Sequence, residues 1–176
     1  MSNVIVWADV ETTGLTAHKD FLLEIAVLIT DLDLNILDDT GYHAYVNHDR
    51  QFVYNKANPY VRDMHTTSGL WDKLKGGKHT WQIDTELLAY IKQFAPWQRT
   101  ARLAGNSVRL DANFFDQWLP QTANHLHYRI LDVSSLAFEA DIRDIPLFPK
   151  AGTHEAMTDI RESIEELRYL RKELYR

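Results

Sequence analysis

The chain has 176 residues, of which 45% are hydrophobic and 25% are charged, as is ordinary for a globular protein. Lysine and arginine total 19 against 25 aspartates and glutamates, which gives a net charge of −6. A protein that binds long nucleic acids usually carries a positively charged surface, which this negative net charge does not indicate. The charge is compatible with a small site where metal ions supply the positive charge. The chain has no cysteine, which excludes disulfides and thiolate metal sites.

The length predicts a single domain, residues 1–176, that is large enough to bury a hydrophobic core. The sequence shows neither the pattern of a signal peptide nor an apolar run long enough to span a membrane. Together with the lack of cysteine, these features predict a cytoplasmic protein with no membrane partner.

The N-terminal stretch combines an apolar strand with two carboxylates. Val4-Ile5-Val6-Trp7 predicts a buried strand, and Asp9 and Glu11 follow it before a turn marked by Gly14. Because residues two apart on a strand point to the same side, these carboxylates would project together. Such a pair is best tolerated around a hard divalent cation such as Mg2+ or Mn2+. The alternative is a solvated strand end with two surface acids.

A second buried strand is predicted from Phe21 to Thr30, and Glu24 lies inside it. A carboxylate in that position must be paired, hydrogen-bonded or close to a cation. After a turn at 31–35, a strand interrupted by polar residues is predicted over 36–46. Tight turns between successive strands predict an antiparallel start to the sheet.

The middle of the chain predicts helices. Asn58-Pro59 is typical of a helix start, with a short helix over 60–64 and another from Leu70 to Lys75. Apolar residues at a spacing near 3.6 predict an amphipathic helix over 81–94.

Leu103-Ala104 predicts a strand that runs into the loop 105–107, and a helix is predicted from Asp111 to Leu119, where Pro120 ends it. Asp111 is either an acid favoured by the helix dipole or a metal ligand. A short strand that turns into a helix is predicted over 127–134, followed by a loop over 141–152.

The last helix is predicted to begin near Thr153 or His154, with an apolar stripe in the core and charged residues, including Glu166, on its other faces. On one ideal helix, His154 and Asp159 would lie about 140° apart around the axis. They can address the same cleft if His154 lies in the loop before the helix.

The combination of Asp9-x-Glu11, Asp111 after Gly105-Asn106-Ser107, and His154-x4-Asp159 resembles the DEDDh family of 3′-to-5′ exonucleases, and within it the oligoribonuclease group. The matching stretches occur in family order and cover nearly the whole chain. The stretches 127–134 and 152–163 are the most specific to the oligoribonuclease group.

The resemblance implies an α/β fold of the ribonuclease H-like type, a mixed β-sheet with helices on both faces. It also implies that Asp9, Glu11, Asp111 and Asp159 hold two divalent metal ions, Mg2+ or Mn2+. His154 would act as the general base, so activity would rise with pH through its pKa. The implied reaction is 3′-to-5′ hydrolysis of short oligoribonucleotides to nucleoside 5′-monophosphates.

The resemblance further implies substrate contacts. Leu15 would wedge against the terminal bases, Tyr60 would stack where the family usually has Trp, and His65 and Ser107 would contact the terminal nucleotide or its phosphate. Tyr128, with Arg129 beside it, would reach the active site of a partner subunit and cap the 5′ end of the substrate. The implied partners are therefore short single-stranded RNA and a second copy in a homodimer.

Two alternatives remain open. A DEDDh exonuclease that acts on longer DNA or structured RNA 3′ ends would need a basic approach surface, against which the net charge of −6 argues. A non-catalytic sensor of short RNA or nucleotides would have no use for a positioned base, against which the presence of four acids with His154 argues.

Overall fold

The computed structural model describes residues 4–150 and 155–175. In this part of the chain five strands form one sheet, in the order β3-β2-β1-β4-β5. The strands are β1 (Val4–Thr12), β2 (Leu22–Asp31), β3 (Tyr42–Tyr45), β4 (Arg102–Gly105) and β5 (His127–Asp132).

The sheet is mixed, as predicted. β1, β2 and β3 pair antiparallel, which confirms the predicted antiparallel start, whereas β4 and β5 join β1 in parallel. The predicted strand over 36–46 is shorter than expected, because Asp38 to Gly41 leave the ladder and only Ile36 keeps an isolated bridge to Thr30. β1 is central: β2 pairs with it along its whole length, whereas β4 pairs only with Ile5, Val6 and Trp7 in its N-terminal half.

Eight helices are described: α1 (Arg50–Lys56), α2 (Pro59–Thr67), α3 (Leu70–Lys73), α4 (Thr80–Phe94), α5 (Arg109–Trp118), α6 (Pro120–His125), α7 (Val133–Ile142) and α8 (Ala156–Leu174). The predicted cap at the start of α2 is confirmed, since Asn58 Oδ1 accepts a hydrogen bond from the Val61 backbone amide at 3.0 Å. None of the helices in the described ranges is both long and apolar enough to span a membrane.

Alternation along β1 separates two cores. Val6, Ala8 and Val10 pack in one cluster with apolar residues of α4 and α5. Ile5 and Trp7 pack on the opposite face with residues of α7 and α8. Helices therefore cover both faces of the sheet, as predicted, and α5 and α8 lie on opposite sides of it.

Some helix boundaries differ from the sequence predictions. α1 was not predicted, and Pro120 not only ends α5 but begins α6 at its first position, where a missing amide proton is harmless. α7 extends to Ile142, so the loop predicted from Asp141 begins later. The predicted start of the last helix at Thr153 or His154 lies outside the described residues, and α8 is observed from Ala156.

Candidate active site

β1 carries Asp9 and Glu11 within the strand rather than after it. Both continue the alternation of Ile5 and Trp7, so their side chains point to the face on which α8 packs. Glu11 is only 9% exposed, which is unusual for a glutamate. The solvated strand end that the sequence left open is therefore wrong for Glu11.

Asp159 approaches the same place from the first turn of α8. One carboxylate oxygen from each of Asp9, Glu11 and Asp159 lies within 4.8 Å of the others. Among residues 4–150 and 155–175, these three side chains form a group whose spacing would allow them to hold a metal ion. We call these three residues the carboxylate cluster.

Asp111 lies beside the carboxylate cluster but is not part of it. It belongs to the first turn of α5, is 4% exposed, and accepts a hydrogen bond through Oδ1 from the Val10 backbone amide at 3.0 Å. This bond ties α5 to β1 between Asp9 and Glu11. The charge of Asp111 also raises the pKa of Asp9.

Burial and the negative charges of neighbouring acids raise the pKa values of carboxyl groups at this site. Burial raises the pKa of Asp9 well above its ordinary value, and the charges of Asp111, Glu11, Asp159 and Glu24 raise it further. Burial, followed by the charges of Glu24, Asp159 and Asp111, raises the pKa of Glu11 to about 8. Burial likewise raises the pKa of Asp111 to about 7, against hydrogen bonds from backbone amides that lower it. Such a cluster is best satisfied by bound cations.

The donor set fits a hard divalent cation. All the candidate ligand atoms are carboxylate oxygens, which Mg2+ and Mn2+ prefer. In the described ranges, no lysine or arginine forms an ion pair with Asp9, Glu11 or Asp111.

Two histidines support the glutamates of the site. Glu24, the register partner of Glu11 on β2, is 7% exposed and pairs through Oε1 with Nε2 of His43 at 2.6 Å. This confirms that the buried Glu24 needs a partner; that the partner is His43 was not foreseen. His65 is 1% exposed, and its Nε2 donates to the carbonyl oxygen of Thr12 at 2.9 Å. Its Nδ1 lies 3.9 Å from Oε2 of Glu11, so His65 borders the carboxylate cluster from the interior.

The other predicted contact residues are exposed. Leu15 is 76% exposed and Tyr60 is 71% exposed, and Ser107 is exposed in the turn after β4. Tyr128 is 72% exposed on the edge strand β5 and stacks on His127 with 4.6 Å between ring centroids. The guanidinium of Arg129 lies 5.5 Å from the centroid of the Tyr128 ring. The predicted base, His154, lies outside the described residues.

Comparison with known proteins gives the family. The exonuclease family model RNase_T matches residues 6–167. The oligoribonuclease of Leifsonia xyli subsp. xyli is 44% identical over 176 residues, which cover 97% of this chain and 84% of that protein.

Solved structures agree on the fold. Exonuclease I from Methylocaldum szegediense superposes with a TM-score of 0.70 at 16% identity, over 96% of this chain and 40% of that one. E. coli exonuclease I in complex with a dT13 oligonucleotide superposes with a TM-score of 0.68 at 14% identity, over 98% of this chain and 41% of that one. This chain thus spans about 40% of those exonuclease chains, and the predicted ribonuclease H-like fold is confirmed. With the family match and the identity over nearly its whole length, the chain belongs to the oligoribonuclease family of exonucleases.

Proposed function

We propose that this metal-dependent exonuclease hydrolyses short oligoribonucleotides from the 3′ end and releases nucleoside 5′-monophosphates. The observation that carries the proposal is the carboxylate cluster, in which the buried Glu11 and the partly buried Asp9 and Asp159 converge within 4.8 Å. Family membership supports phosphodiester hydrolysis, and the oligoribonuclease relative supports short RNA as the substrate.

Asp9, Glu11 and Asp159 would hold divalent cations, and Asp111 would complete the site from α5. Bound cations would supply positive charge to the phosphate and lower the pKa of a water molecule. The chain's own contribution is to hold four carboxylates close together, and bound cations would relieve the repulsion between them. We propose two such ions, Mg2+ or Mn2+.

His154 would take the proton from the attacking water. A histidine suits this role because its pKa lies near neutrality, and it accepts a proton only when neutral. Its position five residues before Asp159 supports the assignment, since Asp159 reaches the carboxylate cluster from the first turn of α8. Activity should therefore rise with pH through the pKa of His154.

Leu15, Tyr60, His65 and Ser107 would make up the contacts to the 3′-terminal nucleotide. The exposure of Leu15 and Tyr60 supports this, because a large apolar or aromatic side chain that is open to solvent is free to stack on a base. His65 is buried, so its part would be to hold Glu11 and the Thr12 carbonyl in place as much as to touch the substrate.

Tyr128 and Arg129 would act on the active site of a second copy. Their support is that β5 is an edge strand and that Tyr128 stands out from it with no described contact beyond its neighbours His127 and Arg129. A cap contributed by a partner would close over the 5′ end of the substrate, which limits substrate length and makes a homodimer part of the mechanism.

The experiment compares a 5′-labelled RNA dinucleotide with a long RNA of the same composition, each with Mg2+ or Mn2+ and with a chelator control. Fast, metal-dependent release of mononucleotide from the dinucleotide, with the long RNA nearly untouched, is the expected result. Preference for the long strand would remove the capped pocket from the proposal. Binding of both RNAs without cleavage would overturn the enzymatic assignment in favour of a sensor.

A further inference from the structure

Glu166 lies where the sequence predicted a solvent-facing charge, yet it is buried. It sits in the third turn of α8 and is only 5% exposed. Its Oε2 accepts hydrogen bonds from Nζ of Lys150 at 2.6 Å and from Nδ2 of Asn106 at 2.7 Å. The prediction of an outward Glu166 is therefore wrong, because two residues from distant parts of the chain satisfy its carboxylate.

The contacts continue towards the carboxylate cluster. Nδ2 of Asn106 also donates to Oγ of Ser163 at 2.9 Å, and this hydroxyl donates to the backbone carbonyl of Asp159 at 2.9 Å. Three separate segments are thereby joined: the turn after β4, the helix α8, and the loop that precedes α8. We call Lys150, Glu166, Asn106 and Ser163 the polar brace.

The polar brace links the turn before α5 to α8. α5, which carries Asp111, packs on one face of the sheet, and α8, which carries Asp159, packs on the other. The turn with Asn106 leads directly into α5. The brace thus bonds the turn that leads into the helix bearing Asp111 to the helix that bears Asp159.

The same turn is also held from its other side. Ser107 adopts a φ of 52°, a backbone conformation that side-chain-bearing residues rarely take, and its amide donates to Oδ1 of Asp132 at 3.0 Å. At the end of β4, a Cβ on Gly105 would lie 2.9 Å from the carbonyl oxygen of Ala8, so glycine lets the turn approach β1. A backbone conformation of this kind persists only where contacts with the surrounding residues stabilise it.

We propose that Lys150 is a positioning residue of the hydrolytic site, which acts through Glu166 and Asn106 to set the distance between Asp111 and Asp159. The inference rests on the proposed function, because it takes these two acids as metal ligands. Lys150 itself touches neither substrate nor carboxylate cluster in this assignment.

The physical reason is the burial of Glu166. Without Lys150, this buried carboxylate would keep only the Asn106 amide among its partners in the described residues, and it would gain by moving towards water. Such a movement weakens its bond to Asn106 and frees the turn. An arginine at position 150 could still provide the cation, whereas a methionine of similar length could not.

The test compares Lys150→Met with Lys150→Arg and with the control Lys172→Met, which removes an exposed lysine from the same helix that holds Glu166. Two quantities are measured for each: kcat and KM on an RNA dinucleotide, and the affinity for Mn2+ by calorimetry. We expect Lys150→Met to lose roughly 10- to 100-fold in Mn2+ affinity, as with other outer-shell partners of metal ligands, and to have a lower kcat with little change in KM. Lys150→Arg should recover most of the loss, and Lys172→Met should match the wild type.

A second variant covers the case in which Lys150→Met fails to fold. Glu166→Gln removes the buried charge but leaves an oxygen that can accept from Asn106, so it should fold and lose part of the Mn2+ affinity. Mn2+ affinities of Lys150→Met and Glu166→Gln equal to that of Lys172→Met would overturn the inference. Because Mn2+ binding does not depend on turnover, an inactive wild type would refute the proposed function and still leave this inference decided.

Discussion

Glu11 and Glu24 are register partners on the antiparallel strands β1 and β2, and both are more than nine-tenths buried. Side chains directly opposite on an antiparallel pair share one face and lie close together. After burial itself, the charge of Glu24 is the largest cause of the raised pKa of Glu11. Two carboxylates so placed make the metal-free fold sensitive to pH.

We predict that the metal-free protein loses stability as the pH rises from about 5 to 8. The pKa of Glu11 is 4.5 when unperturbed and about 8 in the fold, so between these values the folded state binds more protons than the unfolded state. The free energy of unfolding must then fall as the pH rises through this window. The raised pKa values of Asp9 and Asp111 act in the same direction.

Thermal unfolding with a chelator and with Mn2+ measures this effect. Mn2+ should raise Tm more at pH 8 than at pH 5, because deprotonated carboxylates bind the ion and protonated ones must first release their protons. A metal-free Tm that stays level or climbs across the same range would contradict the prediction.

We predict opposite effects of Asp159→Asn on activity and on metal-free stability. Loss of a proposed metal ligand should reduce kcat by more than the roughly 10- to 100-fold that loss of an outer-shell partner costs. The charge of Asp159 raises the pKa values of Asp9 and Glu11, so its removal relieves repulsion and should raise the metal-free Tm at pH 8. The matched control is Asp33→Asn, at an exposed position in the turn after β2. A variant with both lower activity and lower metal-free Tm would point to a structural role instead.

The local sequence pattern was sufficient to predict features that depend on a single strand or helix. The i, i+2 rule on β1 correctly placed Asp9 and Glu11 on one side of the sheet, and Asn58-Pro59 correctly marked the start of α2. α1 was missed because its sequence is polar and only Val53 of the helix is buried. The available signal was Asp49, whose side chain accepts from the Phe52 amide as an N-cap.

Contacts between distant segments could not be predicted in this way. Glu166 stands beside Glu165 on α8, and periodicity alone places both with the charged faces of an amphipathic helix. Its burial depends on Lys150 and Asn106, which lie 16 and 60 residues away in sequence. The pairing of Glu24 with His43 likewise depends on strand register, which a single sequence does not specify.

We predict that His43→Ala destabilises the protein by about 1–3 kcal/mol, because the buried carboxylate of Glu24 then loses its hydrogen-bond partner. Combining it with Glu24→Gln should recover part of the loss, since the amide side chain carries no charge to leave unpaired. Urea denaturation of the two single variants and the double variant, with the chelator present, gives the coupling energy. Strictly additive effects would show that the 2.6 Å contact contributes nothing to stability.

We predict that Tyr128→Ala lowers kcat/KM on an RNA dinucleotide at least tenfold and leaves Tm nearly unchanged. Tyr128 is 72% exposed, so its removal creates no cavity, whereas aromatic stacking on a base contributes about 1–3 kcal/mol. Tyr128→Phe keeps the ring and should retain most of the stacking. An equal loss in the alanine and phenylalanine variants would assign the effect to the hydroxyl group.

We predict that Tyr128→Ala and Asp159→Asn, each of low activity alone, recover activity when mixed. If Tyr128 acts on the partner's site, a mixed dimer has one site with all four acids from the Tyr128→Ala subunit and an intact Tyr128 from the other. Random exchange of equal amounts makes about half of the dimers mixed, each with one competent site of two, so about a quarter of wild-type activity should return. Recovery should follow the rate of subunit exchange, and its absence after proven exchange would place Tyr128 on the active site of its own subunit.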